Sequence, residues 1–154
     1  MNEPDTTERL RRLEDRDAIR DVLTRYMHSF DLGDFERMAT CFTPDLDATY
    51  SGVDRSPRDT LIEHLRGVAG VKVATHMLFQ SEIDVQGDEA TAYTYAIAVL
   101  VGDAKAGGDS ARLRGIRYQD TFVRGDDGAW RICKRLHEPL WMIESAALPT
   151  GPAW

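Results

Sequence analysis

Cysteine is nearly absent: Cys41 and Cys133 are the only two in 154 residues. That is too few for a disulfide framework, and their separation is not that of a metal-binding pair. Two free, mostly buried thiols in a cytoplasmic protein are therefore expected. Basic charge is also short, with 19 Lys and Arg against 26 Asp and Glu and a net charge of −7. A nucleic-acid binder needs a basic face, and an anionic membrane surface needs the same, so both partners are set aside. Two local basic clusters remain, Arg112, Arg114 and Arg117, and Arg131, Lys134 and Arg135. No apolar run approaches the ~20 residues that span a bilayer, and the polar first seventeen residues do not read as a targeting segment. Glycine-rich phosphate loops, nucleophile elbows and zinc-type histidine spacing are missing as well. No metal and no cofactor is assigned.

What is present is an ordinary globular composition, 42% hydrophobic and 29% charged, in a length that suits one domain over 1–154. The core is placed at about 6–140, followed by a tail over 141–154. Apolar residues at Leu10, Leu13, Ile19, Val22, Leu23, Tyr26 and Phe30 predict a helix from about 6 to 32, with Asp5 and Glu8 as a capping pair and Gly33 as its stop. Asp34 can cap a second, short helix ended by Pro44. A short strand over 47–51 follows, then a third helix opened by Ser56-Pro57.

From residue 71 the apolar period changes from 3.6 to 2. Strands are predicted over Val71–Val85, Ala90–Val101, Ala111–Arg124 and Trp130–His137, with Pro139 and Pro149 bounding an apolar tail that ends in Trp154. In the first strand Val73, Thr75, Met77, Phe79, Ile83 and Val85 are expected on one face. The second has one face of nearly all small residues, Ala90, Ala92, Thr94, Ala96, Ala98 and Leu100. Helices first and antiparallel strands after give an α+β fold. The expected form is a cone-shaped barrel: N-terminal helices packed on a strongly curved, mostly antiparallel sheet that encloses a pocket.

Asp31 lies in the last turn of the first helix, where the macrodipole is negative and a carboxylate is disfavoured by roughly 0.3–1 kcal/mol. A cation, a hydrogen-bond donor or solvent has to compensate. His76 sits inside a predicted strand beside the small-residue strand. Taken alone it fits a structural histidine as well as a base. Held by a carboxylate in a pocket, it would be fixed in one tautomer and suited to proton transfer near neutral pH. Tyr26 and Tyr50 can either pack their rings or turn hydroxyls into the same space. Asp120 reads as a structural partner of one of the arginines. The substrate-binding candidates are Met27, Leu78, Ala98, Leu100, Tyr118 and Phe122.

The set Asp17-Ala18-Ile19-Arg20, Tyr26, Asp31-Leu32-Gly33-Asp34, Phe42, Thr75-His76, Tyr118-Gln119-Asp120 and Gly128-Ala129-Trp130-Arg131-Ile132 resembles the SnoaL-like branch of the nuclear-transport-factor-2-like superfamily. That branch is similar to scytalone dehydratase, bile-acid 7α-dehydratase and hexachlorocyclohexane dehydrochlorinase, and the resemblance covers about residues 6–140. It implies a deep apolar pocket, a trimer or dimer, and cofactor-free elimination, isomerisation or cyclisation. It also implies that Asp31 and His76 are the proton-transferring pair, with Tyr26 and Tyr50 at the dehydratase tyrosine positions. The strand carboxylate of the bile-acid enzyme falls on Ala98 here, so that role is missing.

The expectation is a cofactor-independent lyase or isomerase acting on a small apolar molecule. His76, Asp31, Tyr26 and Tyr50 are its catalytic residues. The alternative is a non-catalytic binding or assembly module of the same fold, including an oxygenase small subunit.

Overall fold

The computed structural model describes residues 5–104 and 107–147. The elements run α1 (Thr6–Leu32), α2 (Phe35–Ala39), β1 (Phe42–Tyr50), β2 (Val53–Asp54), α3 (Arg58–Val68), β3 (Val73–Gln86), β4 (Glu89–Asp103), β5 (Asp109–Arg124) and β6 (Trp130–Ala147). The six strands form one sheet in the order β2-β1-β6-β5-β4-β3. Only β1 and β6 are parallel. The sheet curves but stays open, since β2 and β3 are its two edges. The helices close it: α1 packs on β3, α3 on β1, and α2 joins α1 to α3. No helix among the described residues is long and apolar enough to cross a membrane.

The caps follow local chemistry. The Asp5 side chain accepts from the Thr7 N–H, and Asp34 accepts from the Arg37 N–H. Gly33 takes φ 68° at the end of α1, where its N–H meets the Phe30 carbonyl. Leu10 and Leu13 are exposed, because α1 is packed only from Asp15 onward. Pro44 does not end α2. The helix stops at Ala39, and Pro44 lies inside β1, which begins at Phe42.

Two other expectations fail for one reason, the β-bulge. In β3, Phe79 and Gln80 together oppose a single β4 residue between the pairs Leu78–Ala96 and Ser81–Thr94. One extra residue reverses the alternation. Val73, Met77 and Phe79 therefore face outward and are exposed, whereas Ile83 is buried. Residues 138–147 are not a separate tail but the second half of β6, paired with β5 as far as Asp109–Ala147. Pro139 is tolerated because a bulge at Leu140 interrupts the ladder beside it. Pro149 and Trp154 lie outside the described residues.

The far end of α1 is latched to the sheet. Asp15, 6% exposed, accepts from Arg124 Nη2 on Oδ2 at 2.7 Å and from Trp130 Nε1 on Oδ1 at 3.1 Å, and Oδ1 also pairs with Arg124 Nη1 at 2.7 Å. The Arg124 guanidinium also stacks 4.5 Å over the Trp130 ring. Burial pushes the Asp15 carboxyl up, but the Arg124 and Trp130 hydrogen bonds outweigh it and hold it below the usual range. Asp15→Ala should lower stability by about 2–3 kcal/mol in urea unfolding at pH 7. A depressed carboxyl stabilises above its unfolded pKa of about 3.9, so the gap to wild type should narrow as the pH falls below that value. An unchanged midpoint would show that the latch is dispensable.

Candidate active site

The inner face of the sheet is built in rungs, residues paired side by side across strands. Above the core rung Phe42–Ile132–Phe122–Ala90 comes Ala48–Arg135–Asp120–Ala92, followed by Tyr50–His137–Tyr118–Thr94 and then Ala96–Ile116. Above them come His76–Ala98–Arg114 and, outermost, Ala74–Leu100–Arg112. A cavity of about 330 Å³ stands on these rungs beneath α1 and α3. Tyr26, Tyr50, Tyr118 and His137 form its buried floor, and Phe30, His76, Ala98, Leu100 and Ile116 its wall. Ser51, Val53, Arg55, His64, Val68, Arg112 and Arg114 surround the more exposed mouth.

His76 reaches the wall from β3, and Asp31 stands behind it at the end of α1. The carboxylate accepts twice from that residue, from the backbone N–H at 2.8 Å and from ring Nδ1 at 2.6 Å. Two donors thus answer the carboxylate that the helix dipole disfavours, in a last turn with no basic residue. Phe30 meets the imidazole edge to face at 5.0 Å. Asp31 itself does not line the cavity. With Nδ1–H given to Asp31, the Nε2 lone pair is the one free to take a proton.

The floor is held by an ion pair. Arg135 and Asp120 side chains are both 0% exposed, and Arg135 donates Nε and Nη2 to the two carboxylate oxygens at 2.7 Å each. The guanidinium lies 4.3 Å over Tyr26 and 4.5 Å over Tyr118, and its Nη1 donates to the Tyr50 hydroxyl at 3.5 Å. Burial pulls the Arg135 pKa down, but Asp120 holds it well above the ordinary value. The Tyr26 and Tyr50 hydroxyls hydrogen-bond at 3.2 Å. Burial raises the pKa of Tyr26, Tyr50 and Tyr118, so all three stay neutral donors. Burial likewise pushes the Cys41 thiol up to about 11 and raises Cys133, which leaves neither as a thiolate.

The residues picked from sequence divide cleanly. His76, Tyr26, Tyr50, Ala98, Leu100 and Tyr118 line one cavity, with Asp31 behind His76. Met27, 2% exposed, and Phe122, 0% exposed, are packed in the core, and Leu78 packs against it. These three do not line the cavity. Leu78 and Phe122 were placed by simple alternation and Met27 by its position beside Tyr26, and neither locates an empty space.

His137 was missed as a site residue, and so was the place of Arg135. A bulge at Cys133, between the pairs Phe122–Ile132 and Thr121–Lys134, reverses β6. Alternation from Trp130 and Ile132 would turn Lys134 and Leu136 inward; the bulge delivers Arg135 and His137 instead. The basic clusters also split. Arg112 and Arg114 face the cavity, while Arg117 pairs with Glu138, Arg131 with Asp127 and Lys134 with Asp47. Among the described residues, no group of three or more His, Cys, Asp or Glu side chains is arranged to hold a metal ion.

A curved α+β sheet capped by helices, with tyrosine, histidine and an Asp-backed histidine around an inner cavity, defines the nuclear-transport-factor-2-like class. The chain belongs to the SnoaL-like domain family, whose profile matches residues 11–136. No curated protein is matched by the sequence. Among solved structures it is similar to a provisionally named scytalone dehydratase from Novosphingobium aromaticivorans, at 24% identity and TM-score 0.74 over 93% of this chain and 97% of that one. A type 2 hexachlorocyclohexane dehydrochlorinase is 18% identical with TM-score 0.80 over 94% and 97% of the two chains. A nuclear-transport-factor-2-like protein of cystatin-like fold, also from N. aromaticivorans, is 28% identical with TM-score 0.70 over 90% and 92%. At 24% and 18% identity the first two likenesses speak for the fold alone.

His137 stacks on Tyr50 with ring centroids 4.7 Å apart, and its Nδ1 is buried without a hydrogen-bond partner among the described residues. Burial, then Arg135, Arg114 and the nearby His76, press its pKa from 6.5 down to about 4. The unfolded chain therefore takes up a proton between those values that the folded chain refuses. Stability should fall as the pH drops from about 7 toward 4, by up to about 3 kcal/mol from this residue. In His137→Gln the loss should be shallower. An NMR titration placing the His137 midpoint near 6.5 would refute this reading.

Proposed function

We propose that the chain is a cofactor-independent lyase or isomerase that removes a proton from carbon by general base catalysis. The observation that carries this is the 2.6 Å contact between Asp31 Oδ1 and His76 Nδ1 in the wall of a cavity with a neutral, hydrogen-bonding floor. Asp31 orients the imidazole through Nδ1, and His76 Nε2 accepts the proton. In an elimination the C–H pair becomes the new C=C bond and the leaving group departs from the next carbon. A departing hydroxyl takes back the proton from His76 and leaves as water, whereas a departing chloride leaves as the ion. Of the paired Tyr26 and Tyr50 hydroxyls, one donates to the other and the second donates to the substrate oxygen that gains negative charge. The substrate body is small and apolar, packed against Phe30, Ala98, Leu100 and Ile116. Dehydratase and dehydrochlorinase names among the structural neighbours are in keeping with this class.

The test is a screen of small carbonyl and halogenated compounds in D₂O, followed by NMR for deuterium uptake and double-bond formation. On a compound that turns over, His76→Ala should lose about 10²–10⁴-fold in kcat/KM, with Asp31→Asn in the same range. Full turnover in His76→Ala would remove the mechanism.

An assembly reading applies to the opposite face of the sheet. Val73, Met77, Phe79, Tyr95, Trp141 and Ile143 are 40–56% exposed there. The Trp141 ring lies directly over Gly115, where any Cβ would collide with it. An apolar band of this kind suits burial against further copies, as a dimer or trimer. Light scattering should give a multiple of 17.3 kDa, and Trp141→Glu should shift the mass toward the protomer. A monomeric wild type would end this reading.

A further inference from the structure

We propose that the mouth of the cavity is a carboxylate-binding site, so that the molecule taken up is a small organic acid with an apolar body. The inference rests on the proposed function for the identity of the cavity, but not for any step of the chemistry. Six arginines lie on β5 and β6. The four that turn away from the cavity or lie beneath it all hold carboxylates: Arg117 with Glu138, Arg124 with Asp15 and Asp88, Arg131 with Asp127, Arg135 with Asp120. The two that line it, Arg112 and Arg114, hold none among the described residues. Arg55, which lines the mouth from the other side, holds none either.

Two of these three cations are also short of hydrogen bonds. The Nε atoms of Arg55 and Arg114 are buried and have no partner among the described residues. A buried donor on a charged group that is left unmade is costly, and an arginine fork is the shape that a carboxylate satisfies with two bonds. The positive field is felt nearby. Arg114 helps hold His137 neutral, and Arg55, after burial, lowers the pKa of His64. General basicity does not explain such a field in a chain of net charge −7. It is local to this opening, where it would draw anions in.

The geometry also says how an acid would lie. His76 and Arg114 share a rung with only Ala98 between them. Two strand spacings put their backbones about 10 Å apart. The small side chain of Ala98 leaves that span open. A carboxylate on Arg114 would place the carbons next to it within reach of His76. The apolar wall and neutral floor offer nothing to a second charge, which favours a monoanion with a hydrocarbon body over a phosphate.

The experiment measures binding of acetate, benzoate, trans-cinnamate and 2-naphthoate, each beside its amide, by calorimetry and by the His76 and His137 ring shifts. At least one acid should bind about tenfold tighter than its amide, the scale of one charge-assisted contact. Arg114→Gln and Arg112→Gln should erase that ratio without lowering the thermal unfolding midpoint, and Arg114→Lys, which keeps the charge but not the fork, should keep only part of it. His76→Ala should keep it too, even if turnover is lost, which separates this site from the base assignment. Equal binding of acid and amide, or no binding by any acid at millimolar concentration, would overturn the proposal. So would a ratio that survives both arginine variants or vanishes in His76→Ala. Inorganic phosphate that displaces the acid at equal affinity would overturn the carboxylate assignment in favour of a general oxyanion site.

Discussion

The buried Arg135–Asp120 pair is the constraint on which the rest of the interior depends. Taking two charges wholly out of water is expensive, and the attraction between them offsets that only when the geometry is good and the remaining protons find partners. Here both conditions are met. Two parallel 2.7 Å bonds join the pair, and the guanidinium faces lie against Tyr26 and Tyr118, with Phe42 at 5.4 Å. Those partners come from α1, β1 and β5, while the arginine itself comes from β6. A sheet slipped by one residue would leave a bare charge in the core. The pair therefore specifies register as well as filling space, and the tyrosine hydroxyls that floor the cavity are fixed as a consequence.

This constraint explains why part of the fold could be read from the sequence and part could not. The α1 boundaries follow from Asp5 and Gly33, and the buried face of β4 from its run of small residues; each is local chemistry. Asp31 and His76 were legible because a carboxylate in the last turn of a helix demands a donor, whichever strand supplies it. Arg135 and His137 were not legible. Their inward direction depends on one extra residue, Cys133, and a bulge has no strong signature of its own in a strand of mixed polarity. The same holds for Phe79 and Gln80 in β3, and for Leu140, which keeps β6 paired beyond Pro139. Each bulge reverses a face, so a period of two carried through it assigns every later residue wrongly.

Two of the three bulges also act together on the site. That at Phe79–Gln80 lets His76 and Ile83, seven residues apart, face the same interior. That at Cys133 lets Ile132 in the core and His137 in the cavity floor do the same. Without them a strictly alternating strand would serve the core at one end and expose its other end to solvent. A sheet that must close a core below and leave a cavity above needs such reversals, and each falls between the two regions it serves.

The open volume is itself a choice of side chains. Ala98 stands where a larger residue would fill the space, and interior voids lose packing energy. The cavity also tolerates an unbonded His137 Nδ1 and two unbonded arginine Nε atoms. A chain selected for stability alone would not keep unmade hydrogen bonds around a cavity whose wall carries an alanine too small to fill it. Stability is commonly given up where a site must hold something else. These features occur together at one cavity, and the groups left incomplete are a neutral imidazole in the floor and cations at the mouth. The molecule that completes them has to bring acceptors for the arginines and carry little charge where it meets the floor.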